Sequence, residues 1–333
     1  MTTVVRVSHP FAQYLKLLGR GKKGSRSLTE DEAFEAMGMI LAGDVEPIQL
    51  GAFLMLLRVK EETDEELAGF IRAVRVHLAP PAAQLRVDLD WSCYAGKRQH
   101  HPWFLLAALA LADSGTRVLM HGTRGHTPGR LYAQDALEQL GIGACASWQE
   151  VAAALDGDGF AYLPLERFCP PLGEMLELKP LLGLRSAANS LARLINPAAA
   201  PMSLHSVFHP RYAAIHQQVL QRLGQPNAAV FKGEGGEIEY RPDASCEVLS
   251  LGDGVAARET WPRLLETRWN KEESPATAPL RELWRGHSSD RYGEQAILGT
   301  LAVALKGLRR LTSASQAQDA ARVLWDARHR SRL

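Results

Sequence analysis

The sequence predicts an α/β fold: a small all-α N-terminal domain followed by a large α/β domain with a mainly parallel sheet. Three observations predict it. Residues 28–78 carry apolar side chains at helical spacing behind acidic helix starts. Short apolar runs at 86–91, 116–121, 159–164, 203–208, 227–231 and 246–251 then alternate with helical patterns, the signature of strands joined by crossovers. The chain has 333 residues, the length of two structural units at about 100 to 200 residues each. Pro80-Pro81 marks the change of pattern, so the expected division is a helical domain over 1–80 and an α/β domain over 81–333.

The first helix of the 28–78 run opens at Leu28-Thr29, whose following acids Glu30, Asp31 and Glu32 suit a helix N-terminus. Phe34, Met37, Ile40 and Leu41 give it an apolar stripe, and it ends near Gly43. A second helix runs from Pro47 through Ile48, Phe53, Leu54 and Leu57. Thr63-Asp64-Glu65-Glu66 opens a third with Leu67, Phe70, Ile71 and Val74. The stretch 170–197, with helical Leu172–Leu178 and Ser186–Leu194, shows no clear strand and is expected to return to the helical domain. Residues 271–279 read as an exposed loop.

Composition excludes several classes. With 46% hydrophobic and 23% charged residues the chain can bury a core, so disorder is not its main state. No run reaches the roughly eighteen uncharged apolar residues of a membrane span. The opening MTTVVRVSHP lacks a signal-peptide apolar core, so the cytoplasm is the expected location. Cys93, Cys145, Cys169 and Cys246 form no C-x-x-C pair, which points to buried thiols rather than disulfides or structural zinc. The eleven histidines show no metal-ligand spacing such as H-E-x-x-H.

A net charge of +1 conceals strong polarisation. Residues 1–26 hold Arg6, Lys16, Arg20, Lys22, Lys23 and Arg26 and no acid. Residues 27–69 hold two basic groups against eleven acids. Residues 97–130 hold five against one, and 306–332 seven against two. Basic patches that meet in space attract polyanions, whereas each alone also reads as a solvated face.

The run LTEDEAFEAMGMILAGDVEPIQLGAFLMLLRVKEETDEELAGFIRAVR, residues 28–75, resembles the N-terminal helical domain of anthranilate phosphoribosyltransferase and its nucleoside phosphorylase relatives. MHGTRGHTPGRLYAQDALEQLGI at 120–142, LKPLLGLRSAANSLARLINP at 178–197 and HSVFHPRYAAIHQQVLQRLG at 205–224 continue the likeness. The resemblance implies a nucleoside phosphorylase-like fold, a dimer contact through the helical domain, and a substrate cleft between the domains. It also implies a glycine-rich loop after the first α/β strand, G-T-G-G-D-G in the family, whose amides hold a diphosphate against magnesium. Here that stretch is Trp91-Ser92-Cys93-Tyr94-Ala95-Gly96, followed by Lys97-Arg98-Gln99-His100-His101-Pro102-Trp103. The family's adjacent Asp-Glu pair aligns near Lys232–Glu239, where acids remain without an adjacent pair. Of the family's two anthranilate-side groups, the Arg is retained as Arg185 and the Asn is replaced by Thr123. This pattern is similar to the YbiB-like branch, whose members the resemblance associates with nucleic-acid binding rather than anthranilate transfer.

The expected site therefore consists of cations around a former diphosphate cleft. Lys97, Arg98, His100 and His101 lie at the end of the first strand, where ligands of open α/β sheets bind; the competing reading is a solvated loop. Arg124, His126 and Arg130 lie in a Gly/Pro-containing loop that can close over the same cleft. Lys22, Lys23 and Arg26, with Lys16 and Arg20, form an expected mobile basic arm without a phosphate-loop motif. Arg185, read either as an anion contact or as a helix-surface ion pair, completes the set with Arg211 and Lys232, the last two through their family positions. Trp91, Tyr94 and Trp103 are read either as stacking platforms or as core, with Trp103 assigned to the core. No general base or nucleophile is evident, no cofactor is expected, and magnesium is not expected to bind. The function expected is sequence-nonspecific nucleic-acid binding by a homodimer; the alternative is a glycosyl or phosphoribosyl transferase with an unknown acceptor.

Overall fold

The computed structural model describes residues 8–21, 23–78, 85–125, 127–269 and 274–333. Four N-terminal helices come first: α1 (Ala12–Gly19), α2 (Glu30–Leu41), α3 (Pro47–Lys60) and α4 (Asp64–His77). Thr29 and Thr63 start α2 and α4 with reciprocal caps, each hydroxyl accepting the amide three residues on and each Glu accepting back. Glu66 also accepts the Leu28 amide at 2.8 Å, which ties the entry of α2 to the start of α4. The two helices cross closely at Gly69, where a Cβ would lie 2.1 Å from the Glu30 carbonyl oxygen.

The expected helices over 28–78 are present, and α1 is an element that the basic N-terminal run concealed. The segment after α1 is not a free arm. Arg26 donates its amide to the Leu17 carbonyl at 2.9 Å, and its guanidinium holds both Glu32 oxygens at 2.6 Å. Lys22 lies outside the described residues.

The α/β region follows in chain order as β1 (Leu89–Cys93), α5 (Phe104–Asp113), β2 (Val118–Gly122), α6 (Ala133–Gln139), α7 (Trp148–Asp158) and β3 (Phe160–Pro164). Helices α8 (Leu165–Phe168), α9 (Pro170–Glu177), α10 (Lys179–Leu182) and α11 (Ala188–Leu194) come next, and α9 and α11 pack against α2 and α4 respectively. The chain returns to the sheet with β4 (Met202–Val207), α12 (Arg211–Arg222), β5 (Asn227–Lys232), β6 (Cys246–Gly252) and β7 (Val255–Trp261), and ends in α13 (Ala278–Arg285), α14 (Arg291–Leu308) and α15 (Ala314–Asp326).

The seven strands run in the order β3-β2-β1-β4-β5-β6-β7. Pairing is parallel from β3 to β5 and antiparallel for β6 and β7. Strands β1 to β4 are buried along their whole length, as parallel strands between helical layers must be. One face packs on α5 and α14 through Trp91, Phe104, Tyr240 and Tyr292; the other shares a core with the N-terminal helices, from Phe53 and Phe70 to Leu119 and Val230. Burying this apolar surface drives the two layers onto the sheet.

Met37, Leu54 and Leu57 are covered within the chain, and Phe34 is partly covered with the Arg72 guanidinium 5.2 Å over its ring. Ile48, Val59, Val76, Leu181 and Leu184 are large apolar side chains left exposed on the helical layer. No helix among the described residues is long and apolar enough to cross a membrane.

Candidate functional site

Parallel strands place their C-terminal ends at one edge, and the loops that meet there include 94–103 after β1, the one after β2 that carries Arg130, 208–210 after β4 and 233–241 after β5. Gly96, at φ +67°, turns the first loop, where a Cβ would meet the Tyr132 ring at 3.0 Å. The loop is then clamped from both sides. Arg130 donates to the Ala95 and Gly96 carbonyls at 2.9 and 3.0 Å. One Glu237 oxygen accepts the Ala95 and Gly96 amides at 2.7 and 2.5 Å.

Glu237 is buried, and its second oxygen has no partner among the described residues. Burial pushes its carboxyl upward, while Arg193 and the two amides oppose that rise. Arg193 itself donates to the Ser206 and Gly236 carbonyls. Two residues on, Glu239 accepts the Phe104 amide at 2.9 Å, at the N-terminus of α5, and pairs with the Lys97 ammonium at 2.5 Å. Burial pushes Glu239 up to about 7 against the pull of Lys97.

Lys97 therefore does not present its charge to the cleft; its ammonium is buried against Glu239 because an unpaired one could not be. His100 and His101 are likewise buried. His100 stacks on Tyr292 at 4.4 Å, and His101 accepts the Ala276 amide at 2.9 Å and meets Trp103 edge-on. Trp91, Tyr94 and Trp103 are core residues, so none offers an open stacking face. The Tyr94 hydroxyl lies 2.7 Å from His121 Nδ1, whose other ring nitrogen is 3.2 Å from Asp90.

Two cavities open at this edge. The first, of about 300 Å³, is lined by Arg98, Arg130, Lys232, Arg241, Trp269 and Phe208, with Glu234 and Asp243 also in its wall. Arg98 and Lys232 are exposed and make no ion pair with a described residue, whereas Arg241 pairs with Asp243 at 2.7 Å. The second, of about 220 Å³, is lined by Arg58, Arg185, Arg193, Arg211, Tyr212 and again Phe208. Arg211 is held by Glu61 at 2.8 Å and lies over the Tyr212 ring. A larger cavity, of about 640 Å³, sits at the opposite ends of β1 to β3, where its charges pair as Arg117 with Asp156, Arg332 with Asp113 and Arg86 with Asp88.

The structure thus brings Arg98, Arg130 and Lys232 to one cavity and Arg185 and Arg211 to the next. Arg124 faces Asp135 and Glu138 instead. Lys23 and Arg26 line neither cavity, and His126 lies outside the described residues. Arg58, Arg193, Arg241, Phe208 and Trp269 escaped sequence reading because each is a single residue in an unremarkable run. Only Glu237 and Glu239 had a signal, as the acids remaining where an Asp-Glu pair aligns. All four cysteines are buried free thiols, and no group of three or more His, Cys, Asp or Glu among the described residues could hold a metal ion.

Residues 12–78 match the model of the glycosyl transferase family helical bundle domain, and residues 104–261 that of the glycosyl transferase family a/b domain. The uncharacterized protein YbiB of Escherichia coli (strain K12) is 31% identical over 253 residues, covering 74% of this chain and 78% of that protein. Anthranilate phosphoribosyltransferase of Moorella thermoacetica is 34% identical over 236 residues, covering 70% and 69% respectively. The crystal structure of anthranilate phosphoribosyltransferase from Thermus thermophilus superposes with a TM-score of 0.76 at 27% identity, covering 95% of this chain and 94% of that one. With the same two domains and the same sheet framework, the chain belongs to the glycosyl transferase family of anthranilate phosphoribosyltransferase, in its YbiB-like branch.

Proposed function

We propose that the chain binds nucleic acid without base specificity, on an anthranilate phosphoribosyltransferase-like fold whose phosphoribosyl diphosphate site is closed from within. The observation that carries this reading is the Glu237 carboxylate on the Ala95 and Gly96 amides. These amides belong to the loop that aligns with the family's diphosphate loop. A phosphate arriving there meets a buried acid already bonded to its donors, and like charges repel. The acids that align with the metal-holding pair are also engaged, Glu239 by Lys97 and the Phe104 amide. The residues present therefore do not fit a magnesium diphosphate.

The cations left open suit a different anion. Arg98 and Lys232, with Arg130 and Arg241 behind them, offer direct side-chain charge to phosphates that arrive without their own metal. Arg58 and Arg185 extend that charge along the second cavity, where Glu62 also lines the wall and Arg211 is already paired with Glu61. The buried free thiols support a reducing, cytoplasmic setting. Exposed Ile48, Leu181 and Leu184 support a homodimer through the helical layer, since Leu182 of α10 lies 4.0 Å from a Cβ placed on Gly51 of α3.

Fluorescence anisotropy with labelled oligonucleotides of several base sequences tests the reading. Affinity should depend little on sequence and fall linearly, log against log, with salt. Turnover of anthranilate with phosphoribosyl diphosphate and magnesium at ordinary enzyme rates would overturn it. The second reading, a transferase with an unknown acceptor, draws on the second cavity, which Arg185 and half-buried Arg193 line.

A further inference from the structure

We infer that the cleft takes nucleic acid as a single strand, with bases stacked on Phe208 and Trp269; this rests on the nucleic-acid reading proposed above. Phe208 is 54% exposed and lines both cavities, so its ring stands on the divide between them. Its backbone is set by the short 208–210 turn between β4 and α12, and the His209 ring meets it edge-on at 4.9 Å. Trp269 is 37% exposed and lines the first cavity. Its indole is backed by Tyr292 at 6.2 Å, which in turn stacks on His100 at 4.4 Å, so the ring rests on a fixed aromatic ladder.

Large aromatic surface left in water is unfavourable, and here it sits among cations. Arg98, Arg130, Lys232 and Arg241 face the same space against two carboxylates, Glu234 and Asp243. Beyond Phe208, in the second cavity, Arg211 is paired with Glu61 and its guanidinium covers the Tyr212 ring, so the open rings are Phe208 and Trp269. Cations interleaved with open aromatic faces match a ligand that carries a phosphate and a flat ring at each repeat. In a duplex the base faces are stacked on one another and out of reach, so only the cations would be used. A single strand offers both, and stacking tolerates every base because each has a π-face, in keeping with binding that ignores sequence.

The test compares three probes on the full-length protein at low salt: labelled oligodeoxythymidine, an abasic backbone of the same length, and a duplex of the same length. Oligodeoxythymidine should bind about tenfold or more tighter than the abasic strand, as expected for one or two stacked bases, and tighter than the duplex. It should also quench tryptophan emission. The Phe208→Ala/Trp269→Ala double variant should lose that advantage and the quenching, while its abasic binding and thermal melting stay unchanged. Phe208→Tyr/Trp269→Phe, which keeps both rings, should retain most of the affinity, so that loss through misfolding is distinguished from loss of stacking. Equal binding of the abasic and base-bearing strands, or tighter binding of the duplex, would overturn the inference and leave the nucleic-acid reading standing. Absence of binding by all three probes would overturn that reading and the inference with it.

Discussion

Lys97 and Glu239 form an ion pair 2.5 Å long with both side chains removed from solvent. Breaking a buried pair from one side leaves an uncompensated charge, so Lys97→Met should cost about 3–5 kcal/mol of stability. Lys97→Met/Glu239→Gln should recover most of that loss, because the amide removes the charge and its oxygen can still accept the Phe104 N–H. The deficit should also depend on pH. Burial holds the Glu239 carboxyl up at about 7, so between its unfolded value and 7 the folded chain binds more protons. Its contribution is present at low pH and declines as pH rises through that window. Lys97 opposes this rise, so Lys97→Met should be more destabilised at pH 8 than at pH 5. Urea midpoints of the two variants at both pH values check this.

The acid limb of stability should be set by His205 and His216. Burial holds His205 down at about 4 and His216 at about 3, while the unfolded chain takes up protons near 6.5. Stability from these neutral rings is present above 6.5 and is lost as pH falls toward 4, by several kcal/mol at about 1.4 kcal/mol per unit. His205 makes hydrogen bonds through both ring nitrogens, to the Arg193 carbonyl and Ser203, whereas His216 Nδ1 has no partner among the described residues. His216→Leu should therefore flatten the pH 4–6.5 slope, and an unchanged slope in urea unfolding would discount His216 as its source.

Glu237→Gln should move the protein toward phosphate. The substitution removes the negative charge from the Ala95 and Gly96 amides with little change of volume. The expected result by titration calorimetry is no detectable diphosphate binding in the parent and weak, millimolar binding in the variant. Equal diphosphate affinity in both would show that Glu237 does not occlude the site.

Much of this architecture is legible in the sequence because its signals are local. Thr29 with Glu32 and Thr63 with Glu66 announce α2 and α4, and six of the seven strands read as apolar runs, β1 to β4 because they are buried along their whole length. The strand β7 does not, since it is an edge whose Val255, Arg258 and Glu259 face solvent or partners there. The site's position is legible from the strand-end rule, yet the direction of its charges is not. Lys97 is a surface lysine on every local criterion, and only Glu239, 142 positions later, takes it inside. His100 is decided in the same way by Tyr292. Phe208 and Trp269 carry no sequence signal, because exposure of an aromatic ring is a property of the folded cleft.

The cations that matter for a polyanion are then those that stay outside, which separates Arg98 and Lys232 from their neighbours. Both are exposed around one cavity and neither is neutralised by a described carboxylate. Arg26 is held bidentately by Glu32, away from both cavities, and Arg124 is shared between Asp135 and Glu138. If binding is carried by phosphate contacts, each contact contributes a slope of about 0.7 for single strands in the plot of log affinity against log salt. Arg98→Glu/Lys232→Glu should weaken binding to all base sequences alike and lower that slope by about 1.4, two contacts at 0.7 each. Thermal melting should stay unchanged, because exposed charges without partners contribute little to stability. Arg26→Glu should leave the slope unaltered and slightly lower the melting temperature by setting two acids against each other at the start of α2. Anisotropy titrations at several salt concentrations measure both slopes. A normal slope in the Arg98→Glu/Lys232→Glu variant, or a reduced one in Arg26→Glu, would move the phosphate contacts away from the cleft and onto the N-terminal surface.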